Sequence, residues 1–99
     1  MKERIKEILV RELGYSDYVA EMTTTDLLNL NSKFKEALDK WIENRIETEI
    51  DINGISSKNL MKNKGLTYPS ALISLNWILT EPEIAIRELT NEIKGRDEF

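Results

Sequence analysis

Residues 68–80 read Tyr68-Pro69-Ser70-Ala71-Leu72-Ile73-Ser74-Leu75-Asn76-Trp77-Ile78-Leu79-Thr80 and contain no charged side chain. Thr67 is placed to cap a helix here, with Pro69 in the first turn, where its missing N–H removes no helical hydrogen bond. Ala71, Leu72, Ile73, Leu75, Trp77, Ile78 and Leu79 surround nearly the whole helix, leaving a narrow polar strip at Ser70 and Ser74. A helix that is apolar all round belongs in an interior. The segment is therefore expected at the centre of a helical bundle.

Helix signals flank it on both sides. Downstream, Thr80 and Glu83 have capping-box spacing, Leu79 and Ile84 occupy the staple positions, and Pro82 sits in the first turn. A helix is expected to about Lys94, with Ala85, Ile86, Leu89 and Ile93 inward, Gly95 ending it and residues 96–99 a frayed tail. Upstream, Ser56 is expected to cap a helix to about Lys64, with Ile55 and Leu60 as its staple. Gly65 follows as the C′ residue, with Met61 and Leu66 placed for a Schellman contact.

The first half of the chain continues the pattern. Met1, Ile5, Ile8, Leu9 and Leu13 share a stripe at helical spacing, Glu7 and Arg11 form an i,i+4 pair, and Gly14 is a good C′ residue. Ser16 can cap a short turn through Met22 that presents Val19. Thr23 with Asp26 reads as a capping box, and Met22 with Leu27 as its staple, opening one long helix over 24–47. Leu27, Leu28, Leu30, Phe34, Ala37, Leu38, Trp41, Ile42 and Ile46 cover about half its circumference at ~100° per residue. Lys33, Glu36, Asp39, Lys40 and Glu43 fill the other side. Asn31 and Arg45 project into the apolar sector, Arg45 snorkelling near the helix end.

The expected fold is thus all-α: one domain over 1–99, a bundle of four or five helices with short loops. A chain of 99 residues buries roughly 60–65% of its unfolded surface, enough for one core. Only residues 47–55 break the helical rhythm. Ile50 and Ile52 alternate with acids ahead of the Asn53-Gly54 turn signal, and for want of a second strand the segment reads as an ordered loop.

Composition narrows the chemistry. There is no cysteine and no histidine. Disulfides, thiolate metal sites and the commonest general base are therefore excluded. No apolar run approaches the ~18 residues of a membrane span, and a cytoplasmic location is expected. The net charge of −4 argues against nucleic acid as the first partner.

Four features were weighed as sites. Glu49-Ile50-Asp51-Ile52-Asn53-Gly54 resembles the first half of an EF-hand calcium loop, but Leu60 stands where the bidentate Glu should close the cage, so no metal is expected. Residues 55–66 carry Lys58, Lys62 and Lys64 and no acid, and with the following helix they suggest a helix-turn-helix whose nucleic-acid contacts would be Lys58, Lys62, Lys64 and Tyr68. That second helix has no Lys or Arg to meet phosphates. Ser56, Ser57, Ser70 and Ser74 lack an activating histidine, and Glu47, Glu49 and Asp51 read as solvated charge, so no enzyme activity and no cofactor are expected. Tyr15, Tyr18 and Tyr68 read as partly buried, with a wet hydroxyl.

The wide apolar face of the long helix points to association, with Trp41, Ile42, Arg45 and Ile46 as its interface and Arg45 paired to an acid such as Glu49. The expected function is a non-catalytic protein-interaction module, a small regulator, adaptor or assembly subunit that binds another protein or itself as a homodimer. The alternative is a helix-turn-helix-like nucleic-acid-binding regulator.

Overall fold

The structure, a computed structural model, describes residues 1–97, with side chains described for residues 1–90. Its fold is all-α. Among the described residues there are six α-helices: α1 (Lys2–Arg11), α2 (Asp17–Leu28), α3 (Lys35–Asn44), α4 (Ser57–Lys64), α5 (Tyr68–Thr80) and α6 (Pro82–Asp97). The chain divides into two compact units, Met1–Thr48 and Glu49–Phe99.

In the first unit α1 packs against α2. Ile5, Ile8 and Leu9 form the buried stripe of α1, and Glu7 meets Arg11 at 3.6 Å as an i,i+4 pair. Gly14 adopts a left-handed φ of 73°, which lets the Tyr15 N–H turn back to the Leu9 carbonyl at 3.0 Å. That conformation suits glycine because it has no Cβ to clash.

The expected helix over 24–47 is two helices. Its supposed cap, Thr23, lies inside α2 and is buried, beside Thr24. The working cap is Ser16, whose hydroxyl accepts from the Val19 N–H at 3.3 Å. Asn29 ends α2, and Asn31 accepts from the Lys33 N–H at 3.0 Å to start a 3-10 turn, Ser32–Phe34, that leads into α3. Asn29, Asn31 and Ser32 bond locally to the backbone, so this cluster interrupts a helix that the apolar rhythm alone would continue. Leu30, Phe34, Ala37, Leu38, Trp41 and Ile42 are buried as expected, whereas Leu28 and Ile46 are exposed.

The second unit opens with a hairpin in place of the expected loop. β1 (Asp51–Ile52) pairs antiparallel with β2 (Ile55–Ser56). Asn53 and Gly54 take φ of 54° and 84°, the double positive-φ turn that matches strand twist. Asp51 Oδ1 accepts from the Gly54 N–H at 2.9 Å. The missing partner strand was hidden in Ile55-Ser56, because Ser56 also caps α4 by accepting from the Asn59 N–H at 3.1 Å. Gly65 ends α4 at φ 70°, and Thr67 accepts from the Ser70 N–H to start α5.

Helix α5 touches β1, α4 and α6 and is the centre of its unit. It is not buried all round. Tyr68, Pro69, Ala71, Leu72, Leu75 and Ile78 are buried, Ile73 and Trp77 are half-buried, and Leu79 is exposed. The Thr80 capping box does not form. Thr80 Oγ1 donates back to the Trp77 carbonyl at 3.1 Å as the last residue of α5, α6 starts at Pro82, and Leu79 and Ile84 are both exposed rather than stapled. Ala85 and Leu89 are buried. Helix α6 runs past Gly95 to Asp97, while the inward placement expected of Ile93 and the tail at 98–99 lie outside the described residues.

Candidate functional site

Trp41 and Ile42, proposed from the sequence as interface residues, are only 3% and 1% exposed. They are core residues and offer no open strip. Ile46 is exposed, but it lies beyond the end of α3. Arg45 terminates that helix in a left-handed conformation, φ 56° and ψ 33°, so Ile46 leaves the helical face it was expected to share.

Arg45 is paired with Glu12, not Glu49. Its Nε donates to Glu12 Oε1 at 2.7 Å and its Nη2 to Oε2, a planar fork matched to a carboxylate. Nη1 donates to the carbonyls of Trp41 and Ile42, which belong to the unpaired last turn of α3. The guanidinium lies 5.6 Å from the centroid of the Trp41 ring. The hydrogen bond from Arg45 holds the Glu12 carboxyl below the ordinary glutamate range, against a smaller opposing effect of burial. This constellation closes the first unit and caps a helix. All five of the guanidinium's contacts are internal, so Arg45 has a structural role.

Of the residues proposed to touch nucleic acid, Lys58 and Lys62 are exposed one turn apart on α4, and Lys64 is half-buried. Tyr68 is 2% exposed, which removes it from any contact surface. No large apolar side chain of α4 or α5 other than Leu79 is exposed beside them. Acid–base and metal chemistry find no assembled site: among the described residues, no three His, Cys, Asp or Glu side chains are grouped to hold a metal ion. Asp51 is engaged with its own turn. Ser56 and Ser57 are buried, with Ser57 Oγ accepting from the Ile50 N–H at 2.9 Å. A cleft of about 260 Å³ in the first unit has Ile5, Leu27 and Leu38 as its floor and Met1 and Leu28 beside it. Its two charged residues, Lys35 and Asp39, are exposed and bring no nucleophile. No helix among the described residues is long and apolar enough to cross a membrane.

The open apolar surface is on α2. Its inner face is built from Ala20, Thr23, Thr24 and Leu27. At ~100° per residue, Tyr18 and Met22 then point about 140–180° from Leu27, straight outward. Tyr18 is 73% exposed, Met22 52% and Val19 46%. Thr25 and Asn29 continue that outer strip and bond only to their own helix, Thr25 Oγ1 to the Glu21 carbonyl and Asn29 Nδ2 to the Thr25 carbonyl. The charges beside the strip are Asp17, Glu21 and Asp26; α2 has no Lys or Arg. Glu21 meets Lys6 at 3.0 Å and Lys2 at 3.4 Å, across from α1. Hydrogen bonding from Lys6 and then Lys2 lowers the Glu21 carboxyl, and the same contact raises Lys6. Asp17 and Asp26 enter no ion pair among the described residues.

The sequence reading missed this surface because it split α2 at Thr23 and treated Met22 as a buried staple. The signal was present: a helix begun at Ser16 cannot bury both Leu27 and Met22, since they fall on nearly opposite sides. No family model matches the chain, and comparison with curated proteins and with solved structures returns no match.

Proposed function

We propose that this chain is a non-catalytic protein-interaction module that docks its partner on the outer face of α2. The observation that carries this reading is the grouping of Tyr18, Val19 and Met22, all substantially exposed, on a single helix turn. Large apolar side chains on a small fold are ordinarily recruited to the core, and a cluster of them left outside marks a contact surface. Tyrosine and methionine are favoured at such surfaces, the first as a rigid anchor and the second as an adaptable one. The reading relocates the interface from Trp41 and Ile42, which are buried, to α2.

Affinity capture from the native lysate tests it, using the wild type and a Tyr18→Ser, Met22→Ser variant, each with and without nuclease. A protein retained by the wild type, lost from the variant and indifferent to nuclease supports the module. Equal capture by both baits, or loss of the captured material on nuclease treatment, overturns it.

A further inference from the structure

We propose that the α2 surface is built for a basic amphipathic segment of another protein, an α-helix carrying two or three apolar anchors flanked by Lys or Arg. The inference rests on the docking surface proposed above and adds the chemistry of its partner.

The argument is charge complementarity around an apolar centre. Tyr18, Val19 and Met22 supply the apolar contact. Every charged side chain of α2 is acidic: Asp17, Glu21 and Asp26. Glu21 is already neutralised by Lys2 and Lys6, so Asp17 at one end of the helix and Asp26 towards the other remain as the acids that face a partner. Docking an apolar segment there brings both carboxylates to the rim of the contact, where a cation answers them and another anion is repelled.

A second copy of the chain does not meet this requirement. A two-fold pair sets the same patch against itself, and α2 then offers acids and apolar groups with no cation. The chain's own basic helix, α4, presents Lys58 and Lys62 but exposes no large apolar residue. The exposed pair Leu79 and Ile84 is apolar but stands with Glu81 and Glu83, which are again acidic. Each of these pairings lacks either the cations or the anchors, so the matching chemistry belongs to a different protein. A nucleic acid or an anionic lipid surface would set phosphates against Asp17 and Asp26.

The experiment uses the intact chain and two labelled helical peptides of equal length. One has leucines at i, i+3, i+4 and i+7 with lysines elsewhere; the other has glutamate in place of each lysine. Fluorescence anisotropy reads binding, and amide shift mapping locates it. The wild type is expected to bind the lysine peptide at least about tenfold more tightly than the glutamate peptide, with affinity falling as salt rises and shifts concentrated on residues 17–28. Tyr18→Ser with Met22→Ser should weaken binding tenfold or more. Asp17→Asn with Asp26→Asn should weaken it and flatten the salt dependence, while Lys58→Ala with Lys62→Ala leaves it unchanged. All four α2 positions are exposed, and circular dichroism checks that helicity is kept.

Equal affinity for both peptides overturns the proposal, as does lysine-peptide binding that survives Tyr18→Ser with Met22→Ser, which would be attraction to net charge alone. The lysate capture separates the two levels. A partner lost on changing Tyr18 and Met22 but insensitive to salt and to Asp17→Asn with Asp26→Asn keeps the docking surface and refutes its basic partner. Capture insensitive to Tyr18 and Met22 refutes both.

Discussion

Arg45 and Glu12 stand 33 positions apart in the chain and are joined by two parallel hydrogen bonds, Nε to Oε1 at 2.7 Å and Nη2 to Oε2. The same guanidinium also receives the carbonyls of Trp41 and Ile42. One side chain thus ends α3 and ties it to the end of α1. The backbone at Arg45 is left-handed to allow this, an unfavourable conformation for any residue with a Cβ.

That arrangement predicts an unusual order of stability. Arg45→Gly and Arg45→Ala both lose the fork on Glu12 and the two carbonyl contacts, but only glycine is relaxed at a φ of 56°. Arg45→Gly should therefore be the more stable of the two by about 1 kcal/mol. Chemical denaturation of the pair reads the difference, and Arg45→Ala being equal or more stable would show that the left-handed conformation is not held in solution.

Acid should weaken the first unit. Glu12 and Glu21 both have carboxyls lowered from the ordinary value, by hydrogen bonds from Arg45 and from Lys6. The unfolded chain then binds protons at a higher pH than the folded one, so these groups stabilise the fold above the unfolded glutamate pKa. That stabilisation is lost as pH falls through the lowered folded values. Denaturation midpoints should fall below about pH 4.5, and Glu12→Gln with Glu21→Gln should show a shallower decline over the same range. Lys6 is raised by Glu21, which stabilises below the unfolded lysine pKa and disappears as pH climbs through the raised value. Matching acid slopes in wild type and variant would exclude these ion pairs as the cause.

Two leucines of α5, four residues apart, should behave differently. Leu75 is fully buried and Leu79 is 36% exposed. Leu75→Ala is expected to cost about 2–5 kcal/mol through lost transfer and a cavity. Leu79→Ala should cost about 1 kcal/mol or less, as at other surface positions. Urea titration of both variants measures this, and comparable losses would mean that Leu79 is covered in solution.

Thr24 offers a stabilising change. It is fully buried in α2 and its hydroxyl has no hydrogen-bond partner. An unsatisfied buried hydroxyl carries a desolvation cost. Thr24→Val keeps the branched shape and removes that cost, so thermal or chemical unfolding should show a gain of about 1 kcal/mol. A loss would reveal that the hydroxyl is satisfied in solution.

The two exposed leucine-family surprises, at Leu79 and on α2, share a cause. Helical periodicity fixes which residues lie on one side of a helix only after the helix's ends are known. Misplacing one cap at Thr23 assigned Met22 to a staple and concealed the Tyr18–Met22 strip. Placing another at Thr80 assigned Leu79 and Ile84 to a contact they do not make. The hairpin escaped for a related reason: Ser56 satisfies two local rules at once, strand partner and helix cap, and only the first is invisible without its opposite strand.

What was legible from sequence was local and additive: the all-α class, the caps at Ser16, Ser56 and Thr67, the glycine turns at Gly14 and Gly65, and most of the buried stripe from Ile5 to Leu89. Each follows from hydrogen bonding or apolar spacing within a few neighbouring residues. What the tertiary structure alone decided was which partner answers a group brought near from elsewhere in the chain. Arg45 had several acids within its reach on paper, and the packing of α1 against its neighbours selected Glu12. Trp41 and Tyr18 are both large aromatic residues on amphipathic helices, and nothing in their immediate sequence ranks one above the other for burial. Limited interior space does: Trp41 is enclosed and Tyr18 is left outside, and that difference places the candidate interface.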